Sequence, residues 1–293
     1  MKEIVVISGK GGTGKTSITA SLAMLAGKEV VVADCDVDAS NLHLLLDPAE
    51  KSESDFYSGY MAKINPDKCT ACEICIDTCR FNAINLVDGK ATISQLDCEG
   101  CGYCARVCPE NAIRMEENLT GKWYSSESKN GSRMIHAKLD IGAENSGKMV
   151  AMVKNKARKY AKENNLEYIL IDGAPGIGCP VISSLSGASY AILVTEPTKS
   201  GLHDLKRVFQ LAGKFKIKTG CIINKADLNT EMTNEILTFL KGEKIPLIAT
   251  IPYDHHFTTA MIAGKTIIEY NHTELSDILT GIWNKVKLLI KQS

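Results

Sequence analysis

The chain has 293 residues, 44% of them hydrophobic and 23% charged, and its 34 basic and 34 acidic side chains give a formal net charge of zero. This is the composition of a folded globule with room for one large domain and a small one. The charge balance gives no footprint for nucleic acid, and no apolar run approaches the ~18 residues of a membrane span, so neither a nucleic acid nor a membrane is an expected partner. Lys2-Glu3-Ile4 opens directly on a strand pattern without a leader, which gives the expectation of a cytoplasmic protein. In that compartment eleven cysteines point to metal or redox chemistry rather than to disulfides.

Ile4 to Ile7 reads as a buried strand, and Ile18, Leu22 and Leu25 share one face of a helix. Between them lies Ser8-Gly9-Lys10-Gly11-Gly12-Thr13-Gly14-Lys15-Thr16, which satisfies G-x-x-x-x-G-K-[ST] in the strand–turn–helix context that a phosphate loop requires. Glycines let backbone N–H groups curl around an anion, and the helix start adds partial positive charge. Gly11, Gly12, Thr13, Gly14, Lys15, Thr16 and Ser17 are therefore the candidate nucleotide contacts, with Lys15 on the β- and γ-phosphates and Thr16 on Mg²⁺. A ligand-free glycine turn is the competing reading.

The second lysine, in Lys10-Gly11-Gly12-Thr13-Gly14-Lys15-Thr16, resembles the deviant Walker A of the MinD/ParA/nitrogenase iron protein superfamily of ATPases. The resemblance implies that Lys10 crosses to a partner subunit's nucleotide, hence an ATP-dependent homodimer in which Lys10 and Lys15 are both catalytic.

Residues 29–33 form a second apolar strand, ending in Asp34-Cys35-Asp36-Val37-Asp38 with Asn41 beyond. A carboxylate at this strand end can hold water or Mg²⁺ against the γ-phosphate. The pattern resembles switch I of MinD-like proteins, which assigns the catalytic and Mg²⁺-linked position to Asp36; strand-end caps are the bland alternative. From Pro48 to Tyr60 the periodicity lapses into Glu50-Lys51-Ser52-Glu53-Ser54-Asp55, a linker composition.

Cys69, Cys72, Cys75 and Cys79 then give C-x₂-C-x₂-C-x₃-C. Cys98, Cys101, Cys104 and Cys108 repeat it at an offset of 29, with Asn82-Ala83-Ile84 matched by Asn111-Ala112-Ile113. The duplication resembles bacterial-type two-cluster ferredoxins, although Arg80 stands where a proline would follow Cys79. It implies two [4Fe-4S] clusters, one on Cys69, Cys72, Cys75 and Cys108, the other on Cys98, Cys101, Cys104 and Cys79. Two four-cysteine zinc sites are the alternative.

Asn130-Gly131 between alternating runs predicts a hairpin containing His136, and Ser146-Gly147-Lys148 opens a helix to about Asn164. Lys154, Lys156, Arg158, Lys159 and Lys162 read as a solvated basic stripe on that helix. Tyr168 to Ile171 is a strand closed by Asp172, the Walker B position for Mg²⁺, and Asp172-Gly173-Ala174-Pro175-Gly176 resembles switch II of the same superfamily, with Gly176 beside the γ-phosphate. Cys179 follows Asp172 at a spacing similar to that of a bridging-cluster ligand in the nitrogenase iron protein, but two subunits would supply only two such thiolates. Strands at 190–195, 219–224 and 247–251 alternate with helices near 202–215 and 231–241, so the sheet is expected to be parallel. Asn224-Lys225-Ala226-Asp227 is a guanine element in GTPases, yet MinD-like ATPases carry it too, with the Asn facing adenine, so GTP is the second reading; Ile251-Pro252-Tyr253-Asp254 resembles the loop that closes over the base in that family, which implies a base contact for Pro252. The run from Leu275 to Leu289 is expected to dock on the core as a helix, with membrane attachment as the alternative.

The combined expectation is an α/β P-loop NTPase with a mostly parallel sheet covered on both faces, formed by residues 1–62 and 116–293. An inserted α+β two-cluster ferredoxin-like domain takes residues 63–115. ATP, Mg²⁺ and two [4Fe-4S] clusters are the expected cofactors. The leading functional expectation is ATP-driven dimer switching coupled to electron transfer toward a redox or metalloprotein partner. A cluster carrier or maturation ATPase, and a MinD/ParA-type positioning ATPase, are the alternatives.

Overall fold

The computed structural model describes residues 1–140, 142–143, 145–270 and 273–291. Its backbone contacts define two compact units, one of Met1–Ser54, Lys122–Leu139 and Ser146–Ser293, the other of Asp55–Gly121 and Asp140–Asn145.

The chain begins β1 (Lys2–Ile7), α1 (Lys15–Ala26), β2 (Val30–Asp34), α2 (Leu42–Leu46) and β3 (Glu50–Ile64). It continues through α3 (Ile74–Asp77), β4 (Ile84–Val87), β5 (Lys90–Ile93) and α4 (Tyr103–Val107), then β6 (Ile113–Glu127) and β7 (Arg133–Leu139). Next come α5 (Ser146–Glu163), β8 (Tyr168–Asp172), α6 (Cys179–Leu185), β9 (Tyr190–Thr195) and α7 (Lys199–Lys214). The last elements are β10 (Lys218–Asn224), α8 (Thr230–Gly242), β11 (Leu247–Ile251), α9 (His256–Ile262) and α10 (Thr273–Lys291).

Nine strands form one sheet in the order β11-β10-β9-β1-β8-β2-β7-β6-β3. β1 runs parallel between β8 and β9, with Val5 opposite both Ile171 and Ala191. β2, β8 and β9 are buried at every position, as strands covered by helices on both faces must be. This is the α/β P-loop architecture, a mostly parallel sheet flanked by helices. α10 docks through Leu275, Leu279, Ile282, Val286 and Ile290, and its Trp283 meets Tyr168 edge-on at 5.9 Å.

Two sequence expectations are corrected. The stretch read as a linker after Pro48 is β3, the edge strand of the sheet. Its charged and serine-rich composition fits an edge, where polar side chains discourage further strand pairing. The basic stripe on α5 is not wholly solvated: Lys154 is 2% exposed. Its ammonium donates to the carbonyls of Ser184 at 2.5 Å and Ser186 at 2.7 Å, at the end of α6, and sits 3.3 Å from Glu3. Burial lowers the Lys154 pKa from its ordinary value, partly offset by Glu3. Arg158 completes the group with a two-pronged bond to Glu3.

In the second unit, β4 and β5 pair antiparallel around a turn at Asp88-Gly89, both in the left-handed region. The 29-residue repeat is written into the backbone as well. Ala71 and Gly100, Glu73 and Gly102, and Asn82 and Asn111 all have positive φ at matching positions. Gly100 is required, since a Cβ there would lie 1.9 Å from the Tyr60 carbonyl oxygen.

Lys154→Ala strips charge-assisted donors from buried carbonyls and leaves Glu3 with one cation fewer. The expected cost is about 3 kcal/mol, read from the urea midpoint, against less than about 0.5 kcal/mol for Lys159→Ala on the exposed face of α5.

Candidate functional site

The carboxyl ends of β1, β2, β8 and β9 converge where the order of connections reverses, the position at which open parallel sheets bind ligands. Gly12 and Gly14 both hold left-handed φ, 78° and 87°, which turns the loop into the first turn of α1. A Cβ on Gly14 would lie 2.3 Å from Asn224 Nδ2, so glycine is needed there for space as well as conformation. The hydroxyl of Thr13 is buried in this loop with no hydrogen-bond partner among the described residues, which leaves its O–H able to donate to an anion.

Lys15, 6% exposed, lies 3.0 Å from Asp172 and 3.6 Å from Asp36. Burial works against its charge, but Asp172, Asp36 and Asp34 outweigh it and hold the ammonium's pKa above its ordinary value. Asp172 also accepts from the hydroxyls of Thr16 at 2.8 Å and Thr19 at 2.9 Å. Thr16, Asp36 and Asp172 are thus brought together around Lys15, a hydroxyl and two carboxylates of the hard-oxygen type that Mg²⁺ takes. Burial, then the neighbouring Asp172, raises the Asp36 pKa against the pull of Lys15.

Asp34 has a different task. It is fully buried and accepts from the Ser40 hydroxyl at 2.7 Å and from the Asp36 N–H at 3.1 Å, shaping the turn that presents Asp36. Burial, with Asp172 nearby, pushes its carboxyl up to about 7.

Lys10 is folded back within its own chain. Its ammonium lies 2.6 Å from Glu196 and donates to Thr198 at 3.2 Å and Ser200 at 3.0 Å. The N–H groups of Gly173 and Gly176 donate to the Val6 and Ser8 carbonyls, both at 2.9 Å, so neither is directed at a phosphate in this state. The Asn-Lys-x-Asp residues brace loops: Asn224 donates to the Thr13 carbonyl at 2.8 Å and Lys225 to that of Gly12 at 3.1 Å. Asp227 accepts the Tyr253 N–H through one of its carboxylate oxygens, tying the loop after β11 to the turn after β10. An open cleft lies beside the loop, lined by Gly12, Gly14, Ser17, Asn224, Pro252 and Tyr253.

Glu196 and Thr19 were not singled out by motif. Glu196 directly follows β9, the strand beside β1, so strand order identifies it where a linear pattern cannot. Cys35 and Cys221 are buried in the core, while Cys179 is exposed at the first position of α6.

The cysteines of the second unit border two small cavities. Cys69, Cys72, Cys75 and Cys108 border one; Cys79, Cys98, Cys101 and Cys104 border the other. The Ala83 N–H donates to Cys79 Sγ at 3.4 Å, and at the matching place Ala112 N–H donates to Cys108 Sγ at 3.3 Å. Backbone donors from Ala91 and Ala71 lower the Cys69 pKa, whereas burial raises those of Cys75 and Cys104.

Residues 4–267 match the model of the CobQ/CobB/MinD/ParA nucleotide binding domain. The chain is 35% identical over 290 residues to an uncharacterised protein of Methanocaldococcus jannaschii, covering 98% of this chain and 97% of that one. It is 27% identical over 272 residues to the septum site-determining protein MinD of Synechocystis sp., covering 90% and 81%. Among solved structures, MinD complexed with Mg-ADP from Pyrococcus horikoshii superposes with a TM-score of 0.60 at 21% identity, covering 98% of this chain and 96% of that one, a likeness of fold. These findings correct the leading functional expectation. Relatives matched over 90% or more of the chain include septum site-determining proteins of the MinD type, which favours the positioning ATPase over ATP-coupled electron transfer.

Because Asp34 is harder to ionise folded than unfolded, its contribution to stability is complete below about pH 4 and is lost as the pH rises through about 7. Asp34→Asn is therefore expected to gain stability relative to the parent chain between pH 5 and pH 8, measured by urea denaturation without nucleotide; a pH-independent difference contradicts the assignment.

Proposed function

Since the chain belongs to the CobQ/CobB/MinD/ParA nucleotide-binding family and is an ATPase of that kind, we propose that it is a MinD/ParA-type positioning ATPase. It binds Mg-ATP, dimerises, and releases its cargo on hydrolysis. The observation that carries this reading is the cluster of Lys15, Thr16, Asp36 and Asp172 at the mouth of a glycine loop.

The chemistry follows from those positions. In-line attack on a γ-phosphate needs charge neutralised, a metal held and a water oriented, with little covalent participation by the protein. Lys15 supplies fixed positive charge in a site that excludes water. Thr16 and Asp172 would hold Mg²⁺ through their oxygens, and the ion would supply charge neutralisation at the phosphates. Asp36, at the free end of β2, orients the water. Asn224 and Pro252 border the adenine cavity. Lys10 completes the site of a second copy of the chain, which makes the dimer the hydrolytic unit.

For the second unit the proposal is two [4Fe-4S] clusters on the two sets of four cysteines. The fit rests on the donor chemistry: four thiols border each cavity, and a backbone N–H already points at the sulfur of Cys79 and of Cys108. When bound, such clusters would supply an iron- and oxidant-sensitive staple for a small unit whose apolar core is built on Ala62, Cys75, Ile84, Ala91 and Ile113. They would make the switch responsive to iron supply.

Calorimetry is expected to show Mg²⁺-dependent ATP binding at least about tenfold tighter than GTP, and a loss of about 100-fold or more in Lys15→Ala. Equal affinity for the two nucleotides contradicts the adenine assignment. Anaerobically prepared protein is expected to carry about eight iron and eight sulfide per chain, halved in Cys79→Ser; zinc in their place removes the cluster proposal and leaves the ATPase intact.

A further inference from the structure

Lys10 and Lys225 approach the phosphate loop from different parts of the sequence, and one carboxylate holds both. Glu196 Oε1 lies 2.6 Å from Lys10 and Oε2 lies 2.9 Å from Lys225, whose ammonium also donates to the Gly12 carbonyl. Thr198 and Ser200 take two further hydrogen bonds from Lys10, so its ammonium has three acceptors inside its own chain. Burial works against the Glu196 charge, but the two lysines hold its pKa below the usual carboxylate range. The Lys10 side chain is 29% exposed and that of Glu196 15% exposed, so the contact is reachable from solvent yet not fully screened.

We propose that Glu196 is a positioning residue that latches Lys10 inside its own subunit, so that the lysine becomes available to a second copy of the chain only when this contact opens. The proposal rests on the dimeric reading above. Its physical content is a competition. Lys10 can pair with Glu196 in cis or with a nucleotide phosphate in trans, and a ligand shifts such an equilibrium only by the difference between the two. ATP supplies more negative charge to the trans site than ADP, which favours opening in the triphosphate state. Lys225 tells Glu196 whether the loop is in place, since one ammonium touches both Glu196 and Gly12.

The test reads the latch in two ways. Acetic anhydride labelling of the nucleotide-free full chain, followed at Lys10 by mass spectrometry with Lys159 as reference, is expected to rise about threefold to tenfold in Glu196→Gln. Dimerisation with AMPPNP, followed by sedimentation, is expected at about threefold to tenfold lower protein concentration in the same variant, at an unchanged melting temperature. Ser200→Ala removes one acceptor of Lys10 and is expected to move both readouts in the same direction by less; it decides the matter if Glu196→Gln fails to fold. Unchanged Lys10 labelling in the variants, or dimerisation weakened rather than strengthened, overturns the proposal. A parent chain that stays monomeric with AMPPNP counts against the dimeric function, and the labelling result then decides whether Glu196 holds Lys10.

Discussion

The carboxylate of Asp172 is the point on which the site depends. It closes β8, and it accepts from Lys15, Thr16 and Thr19, three side chains of the first turns of α1. Each of these groups would be costly to bury alone. Together they satisfy one another and fix the phosphate loop to the neighbouring strand before any nucleotide arrives. The glycines of the loop can then keep the backbone conformation that an anion requires. Asp36 joins the same cluster from β2 because Asp34 is turned inward to hold the strand end.

This arrangement is a set of matched charges. Lys15 answers Asp172 and Asp36; Lys10 and Lys225 answer Glu196. A triphosphate with its metal ion exchanges partners within these sets rather than bringing uncompensated charge into the fold. Binding can therefore reorganise several elements at once, since Asp172 ends β8 while Asp36 and Glu196 lie just beyond β2 and β9. That is the behaviour expected of a switch whose output is a change of assembly.

Much of this was legible in the sequence, for definite reasons. Lys15 and Thr16 open the helix after a glycine loop, Asp36 follows an apolar strand and Asp172 ends one, so local pattern and site position coincide. The cysteine repeat was visible because its offset is constant, and the matched positive φ at Ala71 and Gly100 is a conformational counterpart of that offset. Glu196 was not visible, because its importance comes from β9 lying beside β1, and no neighbouring residue signals strand order. Lys154 was misread for a related reason: helical periodicity marks a face, but three α6 carbonyls and Glu3 cover this one lysine. β3 was taken for a linker because edge strands and linkers share a polar composition. The functional expectation failed at a different level, since a metal-binding repeat describes what a chain can hold and not what it is for.

The clamp at the end of α6 has a mechanical consequence. Lys154 ties down the carbonyls of Ser183, Ser184 and Ser186, while the opposite end begins at the exposed Cys179 just beyond switch II. Val181, Ser184 and Leu185 are buried along the same helix, so α6 is seated on the core over its length and presents only Cys179 and Ile182 outward, next to the loop of residues 173–178.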